Sequence, residues 1–170
     1  MKRIVLGLLL VVASTMAIEL GKVPSAVTLS GDNGAKIDGS AWHSSMLKGK
    51  IYTVFYVDPD KKELNQALAD ALKARHFDRK KVDSVAIINL AATWIPNAIL
   101  EKILVKKQKE FPHTLYVKDK KKVLVKKWKL ADDNSDILIF NKKGKLIYKK
   151  FGKVTAKEIP AVIKLIEKNL

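Results

Sequence analysis

The 170-residue chain contains no cysteine. That absence excludes thiol–disulfide exchange, thiol peroxidase chemistry and cysteine-ligated zinc, because each requires a thiolate. It also leaves no sulfur for a lipid anchor. Histidine is scarce, and His43, His76 and His113 stand far apart with no metal-ligand spacing such as H-x-x-x-H. The glycines form no phosphate-cradling loop. Ser135 has no evident base or oxyanion partner, which weakens any nucleophilic-serine reading. Apolar runs are short throughout, well under the roughly 20 residues that span a bilayer. Acidic residues are the minority charge: 33 Lys and Arg against 17 Asp and Glu leave a net charge of +16.

The chain opens M-K-R, runs through Ile4 to Ala13 without a charge, and continues Ser14-Thr15-Met16-Ala17. A basic tip, a short apolar stretch and small residues mark a secretory signal cleaved after Ala17, with a retained N-terminal anchor as the alternative. Residues 18–170 then form a single domain, large enough to be stable without disulfides. Loss of Lys2 and Arg3 removes two of the positive charges. The remaining excess favours acidic partners such as membrane surfaces, anionic polysaccharide or acidic proteins. The expected compartment is the periplasm, and the expected partner an envelope protein or an anionic envelope component. Export makes nucleic acid an unexpected partner, and no stable membrane insertion is expected once the signal is gone. No cofactor is implied, and the oligomeric state is left open.

Val27–Leu29 and Ala35–Ile37 flank Asn33-Gly34, which predicts an N-terminal β-hairpin. Trp42 and Met46 read as core plugs in a polar connector. Gly49–Val57 (GKIYTVFYV) has the β-branched and aromatic density of a buried strand and ends at Asp58-Pro59-Asp60. A helix is expected from Lys61, with Leu64, Ala67, Leu68, Ala71 and Leu72 on one face. Val82–Leu90 reads as a second strand. A second helix is expected from about Asn97 to Glu110, turning Ile99, Leu100, Ile103 and Leu104 inward. Thr114–Val117 and Val123–Val125 are short apolar runs separated by Lys118-Asp119-Lys120-Lys121-Lys122. Asp136–Phe140 and Lys145–Lys150 flank Asn141-Lys142-Lys143-Gly144, a strong hairpin signal. Thr155 and Glu158 suggest a capping box for a last helix, although Pro160 argues for a later start. The order describes an α/β domain with a mixed sheet flanked by helices.

That order resembles the thioredoxin fold in its extracytoplasmic version. TVFYVDPD, INLAATWIPN, YVKDKKKVLVKKW and LADDNSDILIFNKKGK are similar to blocks of the YtfJ family of exported thioredoxin-like proteins, over nearly all of residues 23–170. The resemblance implies the fold but no established activity. Some members of that family carry a transcriptional-regulator label, which an export signal opposes. The segment Ala92-Thr93-Trp94-Ile95-Pro96-Asn97-Ala98 echoes an A-T-W-C-P-x-C redox site, with Ile95 and Ala98 at the cysteine positions. Its register is wrong, however. The resemblance places the redox slot after the first central strand, at Asp58, Pro59, Asp60 and Lys61, whereas the echo follows the second. Asn134-Ser135 stands where such proteins place a cis-proline.

The resemblance also makes that slot face the loop Asp132, Asp133, Asn134 and Ser135. Four aspartates together would suggest a divalent-cation site or a socket for a cationic group, with Asp58 and Asp60 as weak metal candidates and an enzyme as the alternative class. The plainer reading is that Asp58 or Asp60 caps a helix and Asp132-Asp133 is a solvated turn. Lys118, Lys120, Lys121, Lys122, Lys126, Lys127 and Lys129 interleave with apolar residues. Within them Lys120, Lys121, Lys122, Lys126 and Lys127 are the candidates for anion binding, against a lysine-guarded strand edge. No helix-turn-helix or base-stacking platform is recognisable. Trp42, Trp94 and Trp128 read as core or partly buried anchors. The function expected is a non-catalytic binding module without redox cysteines.

Overall fold

The computed structural model describes residues 17–170. The stretch read as an export signal, residues 1–17, lies outside them apart from Ala17.

A six-stranded mixed sheet forms the centre of the molecule. Its strands are β2 (Gly34–Lys36), β4 (Ile51–Val57), β5 (Val82–Asn89), β6 (Thr114–Asp119), β7 (Ser135–Phe140) and β8 (Leu146–Phe151), in the spatial order β2-β6-β5-β4-β7-β8. β4, β5 and β6 run parallel, and β7 returns antiparallel beside β4. The parallel strands are joined by α1 (Gln66–Ala74) and α2 (Asn97–Glu110), the long crossovers that such pairs require. α3 (Val123–Trp128) follows β6, and α4 (Ile159–Lys168) ends the fold. This is the expected mixed sheet flanked by helices.

The pleat sorts the core into two sides. Val54, Tyr56, Val85, Ile87, Val117, Leu138 and Phe140 meet Leu124 and Trp128 of α3 and the N-terminal segment. Ile51, Val82, Ile137 and Ile139 meet Leu68 of α1 with Val162 and Ile166 of α4. Leu100 and Leu104 of α2 pack beside these, over Ile88 and Tyr116. β4 and β7 are therefore covered on both faces, which explains their nearly continuous apolar sequences.

The N-terminal strand pair is present, but its partners differ from the expected hairpin. β1 (Thr28–Leu29) pairs with β3 (Trp42–His43), while β2 pairs antiparallel with β6. Asn33 closes a 3-10 turn instead of a two-residue hairpin loop. Gly34, at φ +136°, lies so close to the Lys118 carbonyl that a Cβ would collide with it. Glycine here permits strand contact instead of reversal.

Val123–Val125 is helical, contrary to its reading as a separate apolar run. Leu124 and Trp128, four residues apart, turn the same side of α3 into the core. Pro59–Lys61 forms a 3-10 turn and α1 begins only at Gln66, later than Lys61. α4 starts at Ile159, so Pro160 falls within the tolerated first turn. Glu158 accepts hydrogen bonds from the Thr155 N–H at 2.8 Å and the Thr155 hydroxyl at 2.9 Å. The Asn141–Gly144 turn joins β7 to β8 with Gly144 at φ +74°, as expected. Trp42 and Trp128 are fully buried, but Met46 and Trp94 are exposed, the latter at 88%. Ile99 and Ile103 also face outward, leaving Leu100 and Leu104 to anchor α2.

Candidate functional site

The C-terminal ends of β4, β5 and β6 present one polar residue each. The register aligns Asn89 with Asp119 and brings Asp58 next to Asn89, while the Asp58 N–H donates to the Asn134 carbonyl at 2.8 Å. Alternation puts Asp58 on the face of Tyr56, Asn89 on that of Ile87 and Asp119 on that of Val117. Asp136, opposite Tyr56 on β7, shares the face of Leu138. The row sits at the carboxyl ends of parallel strands, where α/β sheets usually hold their sites.

Asp58, Pro59, Asp60 and Lys61 lie directly after β4, beside the loop before β7. Asp58 is buried and its Oδ1 accepts from the Asp60 N–H at 2.8 Å, capping the 3-10 turn. Burial raises the Asp58 carboxyl above the usual range. The Asp60 N–H opposes this, and the charges of Asp60 and Asp133 reinforce it. Asp60 and Lys61 are exposed.

On the facing loop, Asp132 accepts from Asn89 Nδ2 at 3.0 Å and pairs with the Lys122 ammonium at 2.6 Å. Partial burial acts to raise the Asp132 carboxyl, but the Lys122 hydrogen bond and charge bring it below the ordinary value. Lys122 is raised in turn by Asp132. This lysine supplies the counter-charge that clustered aspartates need. Asp133 adopts a left-handed conformation at φ +51° and is exposed. Asn134 Oδ1 accepts from the Ser135 N–H at 2.9 Å, so the turn is held by its own side chain. Among the described residues there is no cis peptide bond, and no three His, Asp or Glu are arranged to hold a metal ion.

Four buried groups in and around this row carried no signal in the sequence. Asp119 sits in a lysine run, yet it is fully buried. Its carboxylate accepts from the Val123 and Leu124 N–H groups at 2.8 and 3.0 Å and from the Tyr56 hydroxyl at 3.1 Å. This contact explains why α3 starts where it does. Tyr56 is raised strongly, first by burial and then by the Asp119 charge. Asp136 accepts from the Ala131 N–H at 2.8 Å, while its Oδ1 has no partner. Burial pushes its carboxyl up to about 7, against the opposing N–H groups of Ala131 and Gly152. Asn65 holds the start of α1 to β7 and to the loop before α4. It donates to the Ser135 and Gly152 carbonyls and accepts from the Val154 N–H at 2.8 Å.

The lysine segment is divided by the fold. Lys118 and Lys120 reach Glu101 of α2 at 3.7 and 2.8 Å, and Lys122 is engaged by Asp132. Lys121, Lys126, Lys127 and Lys129 remain exposed, on or beside α3 instead of along a strand edge. The Ile95–Ala98 segment leads into α2, one β-α unit past the slot.

Residues 22–169 match the model of the YtfJ_HI0045 family, described as bacterial proteins of unknown function. A Haemophilus influenzae relative, described as an uncharacterized protein, is 34% identical over 128 residues, covering 74% of this chain and 70% of its own. The Escherichia coli protein YtfJ, also described as uncharacterized, is 25% identical over 133 residues, covering 76% and 72%. Among solved structures, the thioredoxin domain of a thiol-disulfide oxidoreductase from Bacteroides vulgatus superposes with a TM-score of 0.61 at 15% identity. That match covers 87% of this chain and 97% of the domain. At that identity the likeness shows the fold alone, a thioredoxin-like mixed sheet. Without cysteine the chain cannot act as a thiol-disulfide oxidoreductase. The chain belongs to the YtfJ_HI0045 family and carries a thioredoxin-like fold.

Proposed function

We propose that this protein is an exported, non-catalytic binding module of the periplasm that takes an envelope protein or an anionic envelope component. The observation that carries the reading is that the carboxylates nearest the strand ends are engaged by internal bonds, while Asp60, Lys61 and Asp133 stand exposed around them. Asp58 caps its own turn, and Asp132 is neutralised by Lys122 and held by Asn89. Asp119 is engaged by α3 and Tyr56. A reaction centre needs a group left available to a substrate. The outward surface instead carries an excess of lysine, which supports binding to acidic partners.

In vivo crosslinking of the tagged protein in the envelope is expected to capture a partner whose retention falls with salt, as exposed charge pairing requires. Fractionation to the cytoplasm would defeat the reading and restore the transcriptional alternative. The carboxylate-enzyme reading makes a different prediction. Calcium would then raise the melting temperature of the parent, and Asp58→Asn with Asp60→Asn would remove that rise. The binding-module reading expects parent and variant to melt identically with calcium or a chelator.

A further inference from the structure

The exposed face of α2 sets large apolar side chains beside lysines. Trp94, in the loop leading into the helix, is 88% exposed, and Ile99 and Ile103 are 51% and 47% exposed. Ile99 and Ile103 are four residues apart and therefore form one ridge. Helical spacing puts Lys102 and Lys106 along one flank of that ridge and Lys107 along the other. All three lysines are exposed, as is Lys109. The helix holds only two acids. Glu101 is engaged by Lys118 and Lys120, and Glu110 by Lys107. Among the described residues Lys102, Lys106 and Lys109 have no acidic partner within ion-pair distance.

We propose that this face docks reversibly on an anionic phospholipid surface, with Trp94, Ile99 and Ile103 entering the headgroup boundary and the flanking lysines meeting lipid phosphates. Charge complementarity selects this occupant. An apolar ridge bordered by exposed lysines, of which Lys102 and Lys106 are unpaired among the described residues, fits a surface offering apolar depth and negative charge together. A polysaccharide offers only the charge, and an acidic protein would need a matching apolar patch beside it. An exposed tryptophan suits the same boundary, because its ring is apolar and its N–H can stay hydrated. α2 is held in place from beneath by Leu100 and Leu104, so no refolding is needed for the outer face to engage. The inference rests on the export reading above, since the face must meet an envelope membrane.

The fold supplies a direct readout. Trp42 and Trp128 are fully buried, so Trp94 is the one exposed tryptophan among the described residues. The chain lacking residues 1–17 keeps every described element and is the species to test. With vesicles of phosphatidylethanolamine and phosphatidylglycerol, tryptophan emission should shift to the blue and the protein should sediment with the lipid. Vesicles of phosphatidylcholine alone should give neither effect. Trp94→Ala, or Ile99→Ser with Ile103→Ser, should weaken sedimentation by about tenfold while leaving the circular dichroism spectrum unchanged. Lys102→Glu with Lys106→Glu should weaken it further, each lysine at such a surface being worth about fivefold. Three results would overturn the proposal: no binding to anionic vesicles, binding unaffected by the Trp94 and isoleucine changes, or an equal loss from Lys142→Glu with Lys143→Glu on the distant hairpin. Failure here beside a salt-sensitive crosslinked protein or polysaccharide partner would remove the lipid face and leave the binding-module reading standing.

Discussion

Replacing Asp136 by asparagine is expected to stabilise the folded chain, by an amount that grows as the pH rises. Asp136 is fully buried, with one oxygen on the Ala131 N–H and the other unpartnered. Its carboxyl is raised from 3.8 to about 7. Below the unfolded value both states hold the proton and the residue adds no pH dependence. Between that value and about 7 the folded chain keeps a proton that the unfolded chain has released. Stability contributed by the protonated form is therefore lost as pH rises through this window and stays lost above it. The full loss, from 3.8 to about 7, corresponds to about 4 kcal/mol for so deeply buried a group.

Asparagine carries no such charge at any pH. Less about 1 kcal/mol for a weaker hydrogen bond to Ala131, Asp136→Asn should gain about 3 kcal/mol at pH 8 and lose up to about 1 kcal/mol at pH 4. For a domain of this size that gain is about 6–12 °C in melting temperature. Urea midpoints at pH 4.5, 6 and 8, followed by the emission of buried Trp42 and Trp128, measure the difference directly. Other titrating groups are common to both chains and cancel. Parallel midpoints across that range would refute the assignment of a buried, reluctantly ionised carboxyl to this position.

Asp58→Ala should cost about 1 kcal/mol through loss of the Asp60 cap, while Asp58→Asn, which keeps an acceptor and removes a desolvated charge, should melt no lower than the parent. Asn65→Ala should cost about 3 kcal/mol in chemical denaturation, because it leaves the Val154 N–H and the Ser135 carbonyl without their buried partner. Gly34→Ala should cost about 2 kcal/mol or more, since its Cβ meets the Lys118 carbonyl at a φ that alanine avoids. Hydrogen exchange should then show β2 opening before the central strands.

The central strands and α2 were legible because their signals are local and agree. β4 and β5 are dense in β-branched and aromatic residues, and α2 has a long run bounded by Pro96 and Phe111. The place of Asp58-Pro59-Asp60-Lys61 directly after β4 was legible from the end of that strand's apolar run. α3 was not legible, because V-L-V set among lysines fits a strand as well as one helical turn. What decides it is the Asp119 carboxylate beneath its first N–H groups and the burial of Trp128, both tertiary facts. Asp119 and Asp136 were missed for the same reason. A carboxylate in a charged run gives no sign that the chain will fold over it. Trp94 misled in the opposite direction, since aromatic residues are ordinarily buried and only the turn before α2 sets this one outside.

The polar row and the α2 face are two halves of one arrangement. Asp58 accepts from the Asp60 N–H, Asp119 from Tyr56 and α3, and the more exposed Asp132 from Asn89 and Lys122, so most of the row's carboxylate oxygens are satisfied internally. Asn89 and Asp136 are the exceptions, and the unpartnered oxygen of each marks where the row is held at a cost in stability. Outside, Trp94 and the Ile99–Ile103 ridge are exposed, and among the described residues Lys102 and Lys106 beside the ridge have no acidic partner, while Lys107 pairs with Glu110. A thioredoxin-like fold normally offers its chemistry at the strand ends. Here most carboxylates at those ends are engaged by internal bonds, with Asp60 and Asp133 left exposed, and the face proposed to dock lies one β-α unit along, on the loop and helix that follow β5.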